Sequence, residues 1–190
     1  MNRLSGDQGR MAAILGLGRD AIDLLTKKWE KLVLSNTFPV KDFFVLSGPI
    51  HAIEGAIESA KSSGAKIAKK LKIQIASHHP EMMAAPASEF EDILPKYTFS
   101  TPISKFIMDA LSDVVETGED VGKYLALALL RPVELDKIFQ RFIDLGGKHL
   151  VDIGPGNSIS KHAERGGLSL DIVTMDTDQG MQQLAKLLGK

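Results

Sequence analysis

The chain has 190 residues, of which 44% are hydrophobic and 25% are charged, a composition typical of a globular protein rather than a disordered chain or a fibre. It contains no cysteine, which excludes a disulfide scaffold, a thiolate nucleophile and a zinc site built from cysteine. The formal net charge of -1 argues against general nucleic-acid binding. No apolar run approaches the roughly 20 residues that span a bilayer, and the N-terminus has no apolar stretch of secretory type. The sequence therefore predicts a cytoplasmic protein without a membrane or nucleic-acid partner.

Alternating strands and helices are predicted in the first part of the chain. Residues 11–17 form an apolar run closed by Gly18, as a buried strand would. Between residues 71 and 75, Leu and Ile alternate with Lys and Gln, which predicts a strand with one buried face. The complete order is β-α-β-β-α-β, with elements near residues 11–17, 20–32, 32–35, 43–46, 49–63 and 71–75. This is the order of a ferredoxin-like lobe, here predicted over residues 11–76.

Helices alternate with short apolar strands in the rest of the chain, which predicts a parallel α/β sheet. The predicted helices lie at residues 80–94, 121–130, 132–145 and 179–188, with a further short one after residue 156. Extended segments are predicted at residues 102–106, 149–153 and 168–174. The predicted fold class is therefore α/β.

Charge is distributed unevenly along the chain. Residues 1–75 carry 12 Lys and Arg against 7 Asp and Glu, whereas the remainder is acidic. The basic excess is greatest at Lys61, Lys66, Lys69, Lys70 and Lys72. Such a patch suits an acidic partner or a polyphosphate, although charge alone favours a solvated face without a partner.

The most informative polar cluster is Ala76-Ser77-His78-His79-Pro80, which follows a predicted strand and precedes a predicted helix. Histidine suits a general base because its unperturbed pKa lies near neutrality. Adjacent histidines at a strand end point in different directions, so at most one is expected to function. No third ligand stands at a recognisable spacing, so no metal site is predicted. The residues alone favour a loop histidine without a chemical role.

A second cluster, residues 154–158, follows a predicted strand and contains two glycines. It lacks the full spacing of a nucleotide-binding loop. Gly156-Asn157-Ser158-Ile159-Ser160 imitates a nucleophile elbow but ends in Ser rather than Gly. The preferred interpretation is a tight strand-to-helix turn, with Ser158 not a nucleophile.

Six blocks of sequence occur in an order that resembles malonyl-CoA:acyl-carrier-protein transacylase and the acyltransferase domains of polyketide and fatty acid synthases. The blocks are MAAILGL (11–17), VLSGPIHAIEGAIESAKSSGAK (45–66), LKIQIASHHPEMMAAPASEF (71–90), TPIS (101–104), RPVELDKIF (131–139) and DIGPGNSISK (152–161). The resemblance implies an α/β-hydrolase-like large lobe with an inserted ferredoxin-like small lobe. It divides this chain into a small lobe at residues 11–76 and part of the large lobe at residues 77–190.

The resemblance also implies roles for individual residues. His78 matches the family's catalytic base, and Ala128 matches the position whose backbone carbonyl orients that base. Ile75 and Ser77 occupy the stretch that influences the choice of acyl group. The resemblance also makes four lysines a candidate surface for an acidic carrier protein or for CoA phosphates: Lys66, Lys69, Lys70 and Lys72.

The family's nucleophile is a Ser in a G-H-S-x-G elbow, and that motif does not occur in the printed sequence. Neither Arg3 nor Arg10 matches the family Arg that binds the malonyl carboxylate.

The reaction that the resemblance implies is the transfer of a malonyl-type group from CoA to a carrier-protein thiol, in fatty acid or polyketide synthesis, with no resident cofactor. The Ser would come from outside this chain, on a second polypeptide or an upstream part. The alternative is a catalytically inactive binding module for a carrier protein or partner subunit.

Overall fold

A computed structural model describes residues 8–189. In the first part of the chain the elements are β1 (Gly9–Leu15), α1 (Arg19–Lys28), β2 (Val33–Thr37), β3 (Phe43–Pro49), α2 (Ile50–Ser62) and β4 (Ile67–Lys70). The elements that follow are α3 (Ala84–Ile93), β5 (Phe106–Met108), β6 (Asp113–Val115), α4 (Gly118–Leu127), β7 (Val133–Glu134), α5 (Leu135–Asp144), β8 (His149–Asp152), α6 (Ser158–Arg165), β9 (Asp171–Thr174) and α7 (Asp178–Leu187). The predicted α/β class is confirmed.

The largest sheet has five strands in the order β4-β1-β3-β2-β7. Its first four strands pair antiparallel, and β7 joins the far edge parallel to β2. The order of these four strands, with α1 and α2 as crossovers, is the ferredoxin-like topology. The division into two lobes at residue 76 remains a prediction.

The two faces of this sheet have different coverings. One face packs under α1 and α2, around a cluster that includes Ile14, Ile22, Leu46 and Ile53. This arrangement follows from the alternation of side chains along β1 and β3, which sends every second residue to the helices. The opposite face carries a smaller cluster, Met11, Ala13 and Val45, with Phe38, Phe43 and Leu71 packed against it.

The strand predicted at residues 71–75 is wrong, because the edge strand β4 lies four residues earlier, at Ile67–Lys70. Leu71 still donates its N–H to the carbonyl of Met11, and the chain then leaves the sheet edge. The departing chain then crosses β1 at Gly9. A Cβ at Gly9 would lie 2.6 Å from the nitrogen of Ala76, so the backbone of residue 76 crosses directly over the start of β1.

The second part of the chain contains two small sheets. Strands β5 and β6 form an antiparallel hairpin, whereas β8 and β9 pair in parallel. The extended segment predicted at residues 102–106 overlaps β5 only at Phe106, where this strand begins. Thr117 caps α4 by accepting the N–H of Asp120, so this helix begins before the predicted residue 121.

The helix predicted from Pro80 begins at Ala84, because residues 80–83 are used in the turn that follows the histidine pair. The predicted helix at residues 132–145 also starts later, at Leu135, because Val133 and Glu134 form β7. Within residues 8–189, no helix is long and apolar enough to cross a membrane.

Candidate active site

The candidate site is a turn at residues 77–79 that leaves the five-stranded sheet and leads toward α3. Ala76 is fully buried, and it packs against Gly9 at the start of β1. His78 has a φ of 60°, in the left-handed region that few residues other than glycine adopt. Such a conformation costs of order 1–3 kcal/mol and persists where neighbouring contacts determine it. The backbone therefore holds His78 in a strained and defined position.

The imidazole of His78 meets the backbone at the end of α4. Its Nδ1 lies 2.9 Å from the carbonyl oxygen of Ala128. Because a carbonyl can only accept a hydrogen bond, Nδ1 carries the proton and Nε2 carries the lone pair. The half-buried imidazole is thus held in the tautomer that a general base requires. The structure brings together the two residues that the sequence assigned to this contact.

Three contacts fix the segment that carries the Ala128 carbonyl. The N–H of Ala128 donates to the carbonyl of Tyr124, which continues the α4 hydrogen-bond pattern. A few residues on, Val133 and Glu134 pair with Asn36 and Thr37 of β2. The buried Thr37 hydroxyl also donates to the carboxylate of Asp136. The segment that follows the Ala128 carbonyl is therefore held against β2 of the five-stranded sheet.

Ser35 contacts the residue before the candidate base, a role that no motif in the sequence predicts. Its fully buried hydroxyl lies 3.2 Å from the carbonyl oxygen of Ser77 and 2.7 Å from Oδ1 of Asn36. Ser35 sits where the pairing register of β2 and β3 shifts, between Leu34 and Asn36. The sequence signal that could have indicated Ser35 is a serine inside the predicted strand at residues 32–35.

The residues predicted to influence acyl choice lie beside this turn. Ile75 and Ser77 are both half-buried, and the Ser77 carbonyl is the group that accepts from Ser35. Ser77 directly precedes the candidate base in the chain, and Ile75 lies two residues before Ser77. Their role in acyl selection stays a prediction.

His79 has a different environment from His78 and is 1% exposed. Its Nε2 lies 2.8 Å from the carbonyl oxygen of Lys31. Its Nδ1 accepts the N–H groups of Glu81, at 3.2 Å, and Met82, at 3.1 Å. Both ring nitrogens are engaged by backbone groups, so His79 has no lone pair left for proton transfer.

The four lysines of the candidate carrier surface are all exposed at or beside the edge strand β4. They do not share one face. Lys69 pairs with Ala13 and so faces the side opposite the helices, whereas Lys70 forms an ion pair with Glu54 of α2 at 3.2 Å. Lysines on an edge strand also discourage pairing with another chain.

Residues 154–158 form a strand-to-helix turn between β8 and α6, and Ser158 is its first helical residue. Behind the turn, the buried Ser160 donates its N–H and its hydroxyl to Asp152. Burial alone would raise the pKa of Asp152, but these hydrogen bonds and the N–H of Gly154 outweigh it and hold that pKa below its ordinary value. This network stabilises the turn. Within residues 8–189, no group of three or more His, Asp or Glu side chains is placed to hold a metal ion.

Comparison of folds gives the class of protein first. The chain superposes on an acyl-carrier-protein-S-malonyltransferase from Bartonella henselae with a TM-score of 0.91 and 21% identity, covering 99% of this chain and 61% of that one. A malonyl CoA-acyl carrier protein transacylase from Coxiella burnetii gives 0.85 and 25% identity, covering 97% and 58%. A malonyl-transacylase in complex with its type II PKS acyl-carrier protein gives 0.87 and 22% identity, covering 97% and 59%. The chain has the acyltransferase fold of these enzymes.

Sequence comparison then gives the particular relatives. The malonyl CoA-acyl carrier protein transacylase of Bacillus subtilis (strain 168) is 29% identical over 156 residues, which are 80% of this chain and 49% of the relative. That of Escherichia coli (strain K12) is 28% identical over 159 residues, 83% of this chain and 51% of the relative. No family model matches the chain. The predicted resemblance is confirmed, and the chain spans about half the length of the curated relatives it matches.

Proposed function

We propose that these 190 residues are the base-bearing part of an acyltransferase. It moves a malonyl-type acyl group from CoA to the phosphopantetheine thiol of an acyl carrier protein. The observation that carries the proposal is the contact of His78 Nδ1 with the Ala128 carbonyl, which leaves Nε2 as the proton acceptor. The matched relatives are malonyl CoA-acyl carrier protein transacylases, which supports malonyl-CoA and a carrier protein as the substrate class.

The proposed reaction has two transfers that use the same imidazole. In the first, Nε2 of His78 takes the proton of a serine hydroxyl as its oxygen attacks the thioester carbonyl. The C–S bond breaks, the CoA thiolate takes the proton back from the imidazolium, and an acyl-serine remains. In the second, Nε2 takes the proton of the phosphopantetheine thiol, whose sulfur attacks the ester and releases the serine, which regains the proton.

The serine is proposed to come from outside these 190 residues, since the sequence has no G-H-S-x-G motif. It stands either on a further part of a longer chain or on a second polypeptide. The proposal needs no resident cofactor, because malonyl-CoA is a substrate and the chemistry requires only a nucleophile, a base and oxyanion donors.

The acidic carrier protein is proposed to approach the edge of β4. Lys66, Lys69 and Lys72 are exposed there, and their ion-pair attraction to acidic side chains weakens with salt. Lys70 is already paired with Glu54, so it is expected to contribute less. The solved complex of a malonyl-transacylase with its acyl-carrier protein supports a carrier protein as the partner class.

Reconstitution tests the proposal. The chain is combined with the nucleophile-bearing segment of the Bacillus subtilis relative, fused or separate, and malonyl loading of a carrier protein is measured by mass spectrometry. His78→Ala is expected to lower the loading rate by about 10²–10⁴-fold, the usual contribution of a general base. His51→Ala, an exposed histidine on α2, serves as the control and should load at the unaltered rate. Normal loading by His78→Ala would contradict the proposal, and salt-sensitive carrier binding without loading would instead favour the inactive binding module.

A further inference from the structure

His79 has no place in the proposed proton transfers, yet both of its ring nitrogens are hydrogen-bonded to backbone groups. Its ring makes three contacts with backbone groups, at Lys31, Glu81 and Met82. Its own carbonyl accepts the N–H of Met83. Because Nδ1 accepts two N–H groups, the ring proton is on Nε2, where it donates to the Lys31 carbonyl. His79 therefore joins the turn after His78 to the turn before β2.

We propose that His79 is a positioning residue that locks the left-handed turn at His78 and so aims the His78 imidazole at the Ala128 carbonyl. The effect of His79 on catalysis rests on the proposed function. Its structural role rests on three observations: the strained φ of His78, the burial of His79, and the hydrogen bonds of both His79 ring nitrogens.

His78 is held on both sides. On one side the Ser35 hydroxyl shares its single proton between Asn36 Oδ1, at 2.7 Å, and the Ser77 carbonyl, at 3.2 Å. On the other side the His79 ring is held by Lys31 and by the following turn. Fixing both neighbours of a residue fixes its Cα–Cβ direction. The 60° φ of His78 is therefore imposed by its neighbours rather than preferred by the residue itself.

The ion pair between Lys31 and Glu81, at 2.9 Å, spans the same two turns. Both side chains are mainly exposed, so solvent screens their attraction and it holds the turn weakly. Glu81→Gln thus provides a matched control, because it removes the side-chain ion pair and keeps the Lys31 carbonyl and the Glu81 N–H that bond the His79 ring.

The test follows the imidazole nitrogens of His78 by ¹H–¹⁵N long-range NMR on the full 190-residue chain. The unaltered chain should show His78 as a single Nδ1-protonated tautomer. His79→Leu removes every ring hydrogen bond at similar volume and should abolish the single-tautomer pattern. His79→Asn keeps an acceptor for the Glu81 and Met82 N–H groups but loses the donor to Lys31, and should give an intermediate pattern. Glu81→Gln should leave the pattern unchanged.

A purely structural role predicts lower thermal stability with an unchanged His78 spectrum. That result in a folded His79→Leu variant would overturn the proposal. Should the leucine variant not fold, the asparagine variant decides, and a spectrum identical to that of the unaltered chain overturns the proposal.

Loading kinetics in the reconstituted system provide the second measurement. Misplacement of the base should lower kcat by about 10²-fold in His79→Leu, the effect typical of an error of about 1 Å in a catalytic group, with little change in KM. The two proposals fail separately. An unaltered chain that never loads malonate refutes the proposed function, whereas the spectra alone decide the role of His79.

Discussion

The two adjacent histidines are held in opposite tautomers by the backbone around them. A carbonyl oxygen faces Nδ1 of His78, whereas two N–H groups face Nδ1 of His79. The first ring therefore keeps its lone pair on Nε2, and the second keeps its proton there. Identical side chains at neighbouring positions are thus separated into a proton acceptor and a fixed tie.

A third histidine, His162 of α6, lies against aromatic rings and is a source of pH-dependent stability. Its ring centroid is 4.4 Å from that of Phe38 and 5.6 Å from that of Phe43. Its buried Nδ1 has no hydrogen-bond partner among the described residues. Burial, and then the charge of Arg165, lower the pKa of His162 below its usual 6.5.

The sign of the effect follows from linkage. The pKa of His162 is lower in the folded state than in the unfolded chain. As the pH falls below about 6.5, the unfolded chain therefore binds more protons than the folded chain, and the free energy of unfolding decreases. Above that pH both states have a neutral ring, and this contribution vanishes. We expect His162→Phe to remove this part of the acid destabilisation, because it keeps the aromatic packing without an ionisable group. Urea unfolding between pH 7.5 and about pH 5.5 measures it.

The control for His162 is His51→Gln, which alters an exposed histidine and should keep the unaltered pH dependence. Equal slopes for His162→Phe and the unaltered chain would show that the ring of His162 is freely protonated in the folded state.

At the scale of elements, the crossing of the backbone at residue 76 over the start of β1 determines where the site turn lies. Gly9 is required there, since a Cβ would approach the Ala76 nitrogen to 2.6 Å. Backbone cannot yield as a flexible side chain does, so Gly9→Ala should displace the segment that leads to His78. We expect a loss of about 1–3 kcal/mol in the free energy of unfolding, the usual cost of overpacking. Chemical denaturation measures this change.

Gly18→Ala is the matched control, because within residues 8–189 no atom other than those of its chain neighbours lies within 4 Å of a Cβ built at Gly18. It should lower stability by less than about 1 kcal/mol, as expected for a helix-cap glycine replaced by alanine. A Gly9→Ala variant as stable as this control would mean that residue 76 does not cross so closely over β1. Where Gly9→Ala folds, the His78 NMR pattern should also change.

The order of elements could be predicted from the sequence, and the position of the edge strand could not. The apolar run at residues 11–17 and the isoleucines of α2 have strong periodic patterns, since their side chains fill the core beneath the helices. In β4 the residue that packs against this core is Ala68, whose small side chain gives a weak signal. The stronger alternation at residues 71–75 lies in a segment that leaves the sheet, with Ile73 exposed.

Much the same limit applies to the site. The family resemblance predicted the contact of His78 with Ala128, because matching positions in related proteins occupy matching places in the fold. Ser35 and the Thr37–Asp136 contact were missed, because each joins residues from distant parts of the chain. Asn36-Thr37-Phe38-Pro39 has the composition of a turn, yet its first two residues end strand β2. Tertiary pairing with β3 and β7 overrides the local preference there.

At the scale of the whole molecule, the second part of the chain exposes apolar side chains beside an unusually small parallel sheet. Strands β8 and β9 form a two-stranded parallel pair, whereas parallel sheets are ordinarily covered on both faces. Ile153, directly after β8, is 75% exposed. Because this chain covers only about half the length of the matched relatives, we expect the proposed nucleophile-bearing part to dock beside β8.

Substitution of Ile153 by lysine tests this docking. Burial of an isoleucine side chain contributes about 1.5–3 kcal/mol, so Ile153→Lys should weaken binding of the nucleophile-bearing segment by about tenfold or more. Titration calorimetry with that segment measures the change. Leu24→Lys, at a comparably exposed leucine on α1, is the control. Both variants should reduce the binding of an apolar dye, because each removes an exposed apolar side chain, but only Ile153→Lys should impair the association. If the two variants bound the nucleophile-bearing segment with equal affinity, the docking surface would lie elsewhere. The loss of an exposed apolar side chain would then be the only effect of either substitution.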